Sequence, residues 1–322
     1  MSKRKKNKDK PEQLELESKQ RPGILKSKMA IIIGTVILII IAGLFFYSHL
    51  KKKSEINKLY QEARQAESSA NYDEAIKHYQ KILEINPNNT VVYVNMANIL
   101  YYKKDYQEAI ECLNKLVELN PKNSLAYNNI GHILYLQGKY DEAIENIKKA
   151  IELKPNDILP YGNMGNVLMA QGKYDEALNN YRKCLTLDSN FIPAKANIAE
   201  VYLVTERFKD ALEMATQVLK EKNLPTPDKM VLRFIAIASL VFQEKDIEAG
   251  EALQHFADYY RSINQEYEKK WDFKDIKRFI NQNKTLKENK RSLLLELIDI
   301  LESPKAEGDK KLKDLETWLK EK

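Results

Sequence analysis

The sequence predicts an all-α chain: one transmembrane helix, then a solenoid of about five to six helical hairpins closed by C-terminal capping helices. Three observations carry that expectation. A five-residue string recurs at a fixed interval, a run of 22 residues has no formal charge, and only ten Gly and ten Pro stand among 322 residues otherwise rich in helix formers.

From the N-terminus, residues 1–28 hold ten Lys or Arg against four Asp or Glu, which accounts for the whole net charge of +6. Charged, aromatic-free and poor in apolar residues, this arm is expected to be disordered. Its plain role is a topology signal, and its sharper one a contact with anionic lipid or a cytosolic partner. The near-neutral remainder weakens any nucleic-acid reading.

Residues 29–50 are uncharged and, at about 1.5 Å per residue in a helix, long enough to cross a bilayer. The apolar run passes through Phe45, Phe46 and Tyr47 straight into Lys51, Lys52 and Lys53, with no small-residue cleavage motif, so it reads as an uncleaved anchor. Residues 51–55 are then a juxtamembrane linker. The twenty residues on each side carry five Lys or Arg apiece, which is a tie under the positive-inside rule. Lys3, Arg4, Lys5, Lys6 and Lys8 break it. The N-terminus is expected in the cytosol and the rest outside it, in a bacterium the periplasm.

NYDEA at 71–75, DYQEA at 105–109, KYDEA at 139–143 and KYDEA at 173–177 recur every 34 residues, with RFKDA following at 207–211. These strings set five units, 56–89, 90–123, 124–157, 158–191 and 192–225. Position 8 of each is small (Ala63, Ala97, Gly131, Gly165, Ala199) and position 20 is Ala throughout, which lets the two helices of a hairpin close up. Position 17 is aromatic (Tyr72, Tyr106, Tyr140, Tyr174, Phe208), and Pro87, Pro121 and Pro155 break the chain before the next unit. Asp73, Asp141 and Asp175 open the second helix, where an acid favours the dipole.

On these residues the chain resembles the tetratricopeptide-repeat (TPR) family, and the resemblance implies a right-handed superhelical solenoid. It departs from the family at position 27, usually Ala, where Ile82, Leu116, Cys184 and Val218 stand, and at the ends of the last two units, Ser189 and Asn223. Residues 226–262 read as a divergent sixth hairpin. Residues 263–322 carry three amphipathic stretches, around Phe279, Leu293 to Leu301 and Leu315 to Leu319, that cap the solenoid or dock a second partner.

In the TPR family, positions 2, 5, 6, 9, 12 and 13 line a peptide-binding groove. Here position 6 gives Asn95, Asn129, Asn163 and Asn197, and position 9 adds Asn98, His132 and Asn166. An Asn side chain offers both donors and an acceptor, and so could pair with the backbone of an extended peptide. The arrangement is similar to the asparagine ladders of TPR domains that grip such peptides. Tyr101 and Tyr135, with Val91, Leu125 and Leu159, would supply apolar contact. The alternative is that the amides satisfy local groups of the fold. A carboxylate clamp for chaperone C-termini is not matched, because Val94, Leu159 and Asn163 stand where its cations belong.

No phosphate-binding Gly loop, HExxH or GxSxG occurs, and Cys112 and Cys184 lie 72 residues apart in different units. The four His are scattered. No catalytic residue, metal, cofactor or small-molecule substrate is expected. The expected function is a non-enzymatic, membrane-anchored protein-interaction scaffold, part of a bacterial envelope assembly such as a flagellar motor, secretion or cell-wall complex. The competing reading is a cytosol-facing targeting or chaperone-docking receptor of the mitochondrial import type.

Overall fold

The computed structural model describes residues 10–263 and 273–320, with the side chains of 10–28, 30–32 and 316–320 outside the description. The described residues are all-helical, in fifteen helices. The chain divides into two compact units, residues 1–99 and 100–322.

In the N-terminal unit, α1 (Lys10–Ser68) is one continuous helix, and α2 (Tyr72–Ile85) folds back on its end. Two expectations are corrected here. Residues 51–55 are helical, not a linker, because Lys-Lys-Lys-Ser-Glu contains no residue that breaks a helix begun upstream. The arm is helical from Lys10, and the rest of it, residues 1–9, lies outside the described residues. From Ile33 the helix has a mean hydropathy of 2.1 over an 18-residue window of which none is buried, so it is long and apolar enough to cross a membrane. Its last turns form the first helix of hairpin one. There Ala63 is buried and Tyr60 meets Tyr79 edge-on at 6.0 Å. The helix α3 (Thr90–Lys103) begins in this unit and ends in the next.

The C-terminal unit continues the hairpins with α4 (Tyr106–Leu119), α5 (Ser124–Leu136), α6 (Tyr140–Leu153), α7 (Ile158–Ala170), α8 (Tyr174–Leu187), α9 (Ile192–Val204) and α10 (Phe208–Val218). Consecutive helices pack on one another from α4 to α11, so the array is a solenoid. Each hairpin turns in one way. Position 15 is left-handed, at Ala70 (φ 54°), Lys104 (65°), Gly138 (76°), Gly172 (74°) and Glu206 (61°). The next N–H then reaches back to the carbonyl five residues earlier, as Lys139 to Leu134 and Lys173 to Leu168, both 2.9 Å or less. That bond satisfies a carbonyl left orphaned at the helix end.

The helices α11 (Thr226–Phe242) and α12 (Asp246–Ser262) form a sixth hairpin with the same turn. Glu244 has φ 57°, Lys245 N–H bonds to Leu240 O, and Ala249 holds the place of the invariant Ala. The two helices span 226–262, and the turn between them falls four residues later than in the regular units. The helix α11 carries the four extra residues, 17 against 13 in α9, and they displace the turn from a strict 34-residue period.

The segment expected to cap the solenoid does something more particular. The helices α13 (Lys274–Gln282), α14 (Glu288–Glu302) and α15 (Lys305–Lys320) fold back, and α13 and α14 pack on α9 and α11, the first helices of hairpins five and six. Phe273 meets Phe234 edge-on at 5.7 Å, and Phe279 lies 5.1 Å from Phe242, itself stacked on Phe208 at 4.8 Å. Arg291 clamps the end of α13, donating to the carbonyls of Ile280, Asn281, Asn283 and Leu286. Residues 264–272 and 321–322 of this segment lie outside the described residues.

Left-handed backbone costs a non-Gly residue about 1 kcal/mol or more relative to Gly. Lys104→Gly and Glu206→Gly should therefore each stabilise the fold by roughly 1 kcal/mol, and Gly172→Ala should destabilise it by a similar amount, read as shifts in thermal unfolding by circular dichroism.

Candidate partner-binding groove

The first helix of each hairpin presents positions 2, 5, 6, 9, 12 and 13 on one face. In the N-terminal unit Asn95 donates to the Tyr79 hydroxyl (3.0 Å), which donates to Glu67 (2.6 Å), while Asn98 is exposed. Burial and the neighbouring Glu67 push the Tyr79 hydroxyl pKa up, so it stays protonated. In the C-terminal unit the face carries Tyr101, Asn129, His132, Tyr135, Asn163 and Asn166, then Asn197.

Most of these amides are engaged with one another. Asn163 Nδ2 donates to Asn128 Oδ1 (2.9 Å), and Asn128 Nδ2 to Asn129 Oδ1 (3.4 Å). Asn166 Oδ1 accepts twice, from Asn197 Nδ2 (3.0 Å) and from the Tyr181 hydroxyl (2.8 Å). Tyr101 Oη and His132 Nε2 stand 3.2 Å apart, and the ring of Tyr135 lies 6.3 Å beyond the imidazole. The predicted residues of this unit are thus brought onto one face, largely as pairs that join one repeat to the next. Burial holds His132 below its ordinary pKa, and raises the Tyr181 hydroxyl, with Glu200 adding to that rise.

Sequence reasoning missed Asn128, Tyr79, Tyr181 and Glu200. Asn128 is at position 5, a groove position, and is 4% exposed; Glu200 is at position 9 and equally buried. The signal for the tyrosines was position 24, which is Tyr in units one and four but Leu113, Ile147 and Ala215 elsewhere. Burial pushes the thiols of Cys112 and Cys184 up to about 11, which leaves them poor nucleophiles.

What is open on this face is apolar. Leu125 and Leu159, both at position 2, are 49% and 51% exposed, and Leu136 and Tyr102 at position 13 are exposed too. None of these, nor Asn129, His132 or Asn163 between them, carries a formal charge at neutral pH.

Family profiles described as tetratricopeptide or TPR repeats match residues 66–130, 131–172 and 159–191. The chain is a tetratricopeptide-repeat protein. No curated protein matches it. Among solved structures, this TPR chain is similar to PilW, described as a widely conserved type IV pilus biogenesis factor, at a TM-score of 0.56 and 18% identity over 65% of this chain and 95% of that one. It is similar to PilF of Pseudomonas aeruginosa at 0.53 and 19% over 66% and 95%. At such identities the likeness shows the TPR fold alone.

Asn163→Ala would leave Asn128 Oδ1 buried without its donor, so a loss of about 1–3 kcal/mol is expected by chemical unfolding. His132 gives a pH prediction. Because its folded pKa is below the ordinary 6.5, the unfolded chain takes up the proton first. Its contribution is therefore complete above that pH and is lost as pH falls below it. The thermal midpoint of the wild type should fall more between pH 7 and pH 5 than that of His132→Phe.

Proposed function

We propose that this chain is a non-enzymatic, membrane-anchored scaffold that binds a protein partner on the open face of its first-helix groove. The observation that carries the reading is that face itself. Around Leu125, Leu136 and Leu159 apolar side chains meet water over a surface free of formal charge, and exposed apolar patches of this kind mark interaction sites. The exposed apolar stretch of α1 supports the anchor, and the additional cluster Lys3, Arg4, Lys5, Lys6 and Lys8 supports an orientation with the N-terminus in the cytosol and the repeats outside it. An envelope assembly is the setting that fits this topology.

With Lys51–Glu55 helical, hairpin one follows the apolar stretch with no break in the helix between them.

A photoreactive residue placed at Leu125 or Asn129 in the full-length protein, expressed in its own host, should crosslink to an envelope protein. Recovery of cytosolic chaperones or nascent chains alone would reverse the topology and put the receptor reading in its place. No crosslink above that from a residue on the outer face of α8 would remove the groove as the binding site.

A further inference from the structure

The groove face of the C-terminal unit changes character along its length. At repeats three and four, position 6 is Asn129 and Asn163, and the leucines around them are exposed. At hairpin six the same position is Ile235, and it is fully buried with Val231, Phe234 and Val241, because α13 and α14 lie on α9 and α11. The chain thereby displays one occupant of its own groove face. It is a short amphipathic helix with Ile276 and Ile280 turned fully inward, Phe279 against Phe208 and Phe242, and Arg278 outward in an ion pair with Asp275.

The hydrogen bonds on the open part favour the same kind of occupant. An extended peptide brings alternating N–H and C=O groups that all need partners. Part of the amide capacity that would meet them is already engaged in the fold: Asn163 Nδ2 with Asn128 Oδ1, Asn128 Nδ2 with Asn129 Oδ1, and Asn197 Nδ2 and the Tyr181 hydroxyl with Asn166 Oδ1. A helix satisfies its own backbone and offers only side chains, which is what exposed Leu125, Leu136 and Leu159 can use.

We propose that the open face of repeats three and four binds its partner as an amphipathic helix, laid in continuation of α13. The inner face of that helix carries Leu, Ile or Phe at i, i+3 and i+4 spacing and no charge, since a charge there would be desolvated against a surface with no formal countercharge. The proposal rests on the groove reading above and adds the conformation and chemistry of what binds.

The probe is a fluorescent synthetic peptide of residues 273–286, titrated by anisotropy against the full-length protein in nanodiscs. A second peptide carries Lys277→Pro, which breaks the helix but keeps Ile276, Phe279 and Ile280. The expected result is that the parent peptide binds and the proline peptide binds at least tenfold more weakly. Leu125→Asp with Leu159→Asp in the protein should weaken the parent peptide at least tenfold with helicity by circular dichroism unchanged, since both positions are exposed. Equal binding of the two peptides would overturn the helix and leave the groove standing. Binding indifferent to the two leucines would mean exchange with α13, and would overturn the site. Absence of binding by either peptide would overturn the inference, and the crosslinking yield from Leu125 then decides separately whether the groove has a partner at all.

Discussion

The close approach of the two helices in each hairpin is the constraint on which the other features depend. Position 20 is a fully buried Ala in all five regular repeats. At position 8 a Cβ on Gly165 would stand 2.4 Å from the Tyr181 ring, and one on Gly131 would stand 2.6 Å from Ile147. Helices that near leave no room for water. A tyrosine at position 24 is therefore buried together with its hydroxyl, and that hydroxyl needs a partner inside the protein.

The asparagine pairs follow from this. In repeat four the Tyr181 hydroxyl donates to Asn166, which also accepts from Asn197 of the next repeat. In repeat one Tyr79 turns to Glu67 and accepts from Asn95. Where position 24 is Ile147 there is no hydroxyl to satisfy, and Asn163 pairs with Asn128 instead. A series that reads in sequence as one uniform ladder is thus three different solutions to local bonding. Each links neighbouring repeats, and each draws an amide away from whatever binds the groove.

Much of the fold was legible because the repeat is local. The 34-residue period, small residues at positions 8 and 20, and the aromatic at 17 fix each hairpin within a few turns of chain, so Gly138 and Gly172 sit where a left-handed turn requires them. The sixth hairpin was legible in kind but the place of its turn was not, since four extra residues in α11 displace that turn to Glu244. The site was legible as a list of positions on one face. What the amides do there was not, because donor and acceptor choice depends on Asn128, Tyr79 and Tyr181, which no groove rule singled out. The continuity of α1 escaped a reading that took Lys51–Glu55 as a linker on function alone, although its residues are good helix formers.

Where the groove ends was also written in the sequence, in a form that only the structure makes readable. Position 6 runs Asn95, Asn129, Asn163, Asn197 and then Ile235, and position 9 runs Asn98, His132, Asn166, Glu200 and then Ala238. The change from amide to aliphatic marks the surface that meets α13 and α14 instead of water. An apolar first-helix face at the last hairpin could not stay exposed, and covering it from within the chain takes about fifty residues that break the period. Arg291 explains how so short a helix as α13 holds its place there. Its guanidinium gathers the four carbonyls of Ile280, Asn281, Asn283 and Leu286, so the end of α13 and the loop into α14 are held together as one piece. The same switch that closes one end of the face leaves Leu125, Leu136 and Leu159 of repeats three and four exposed.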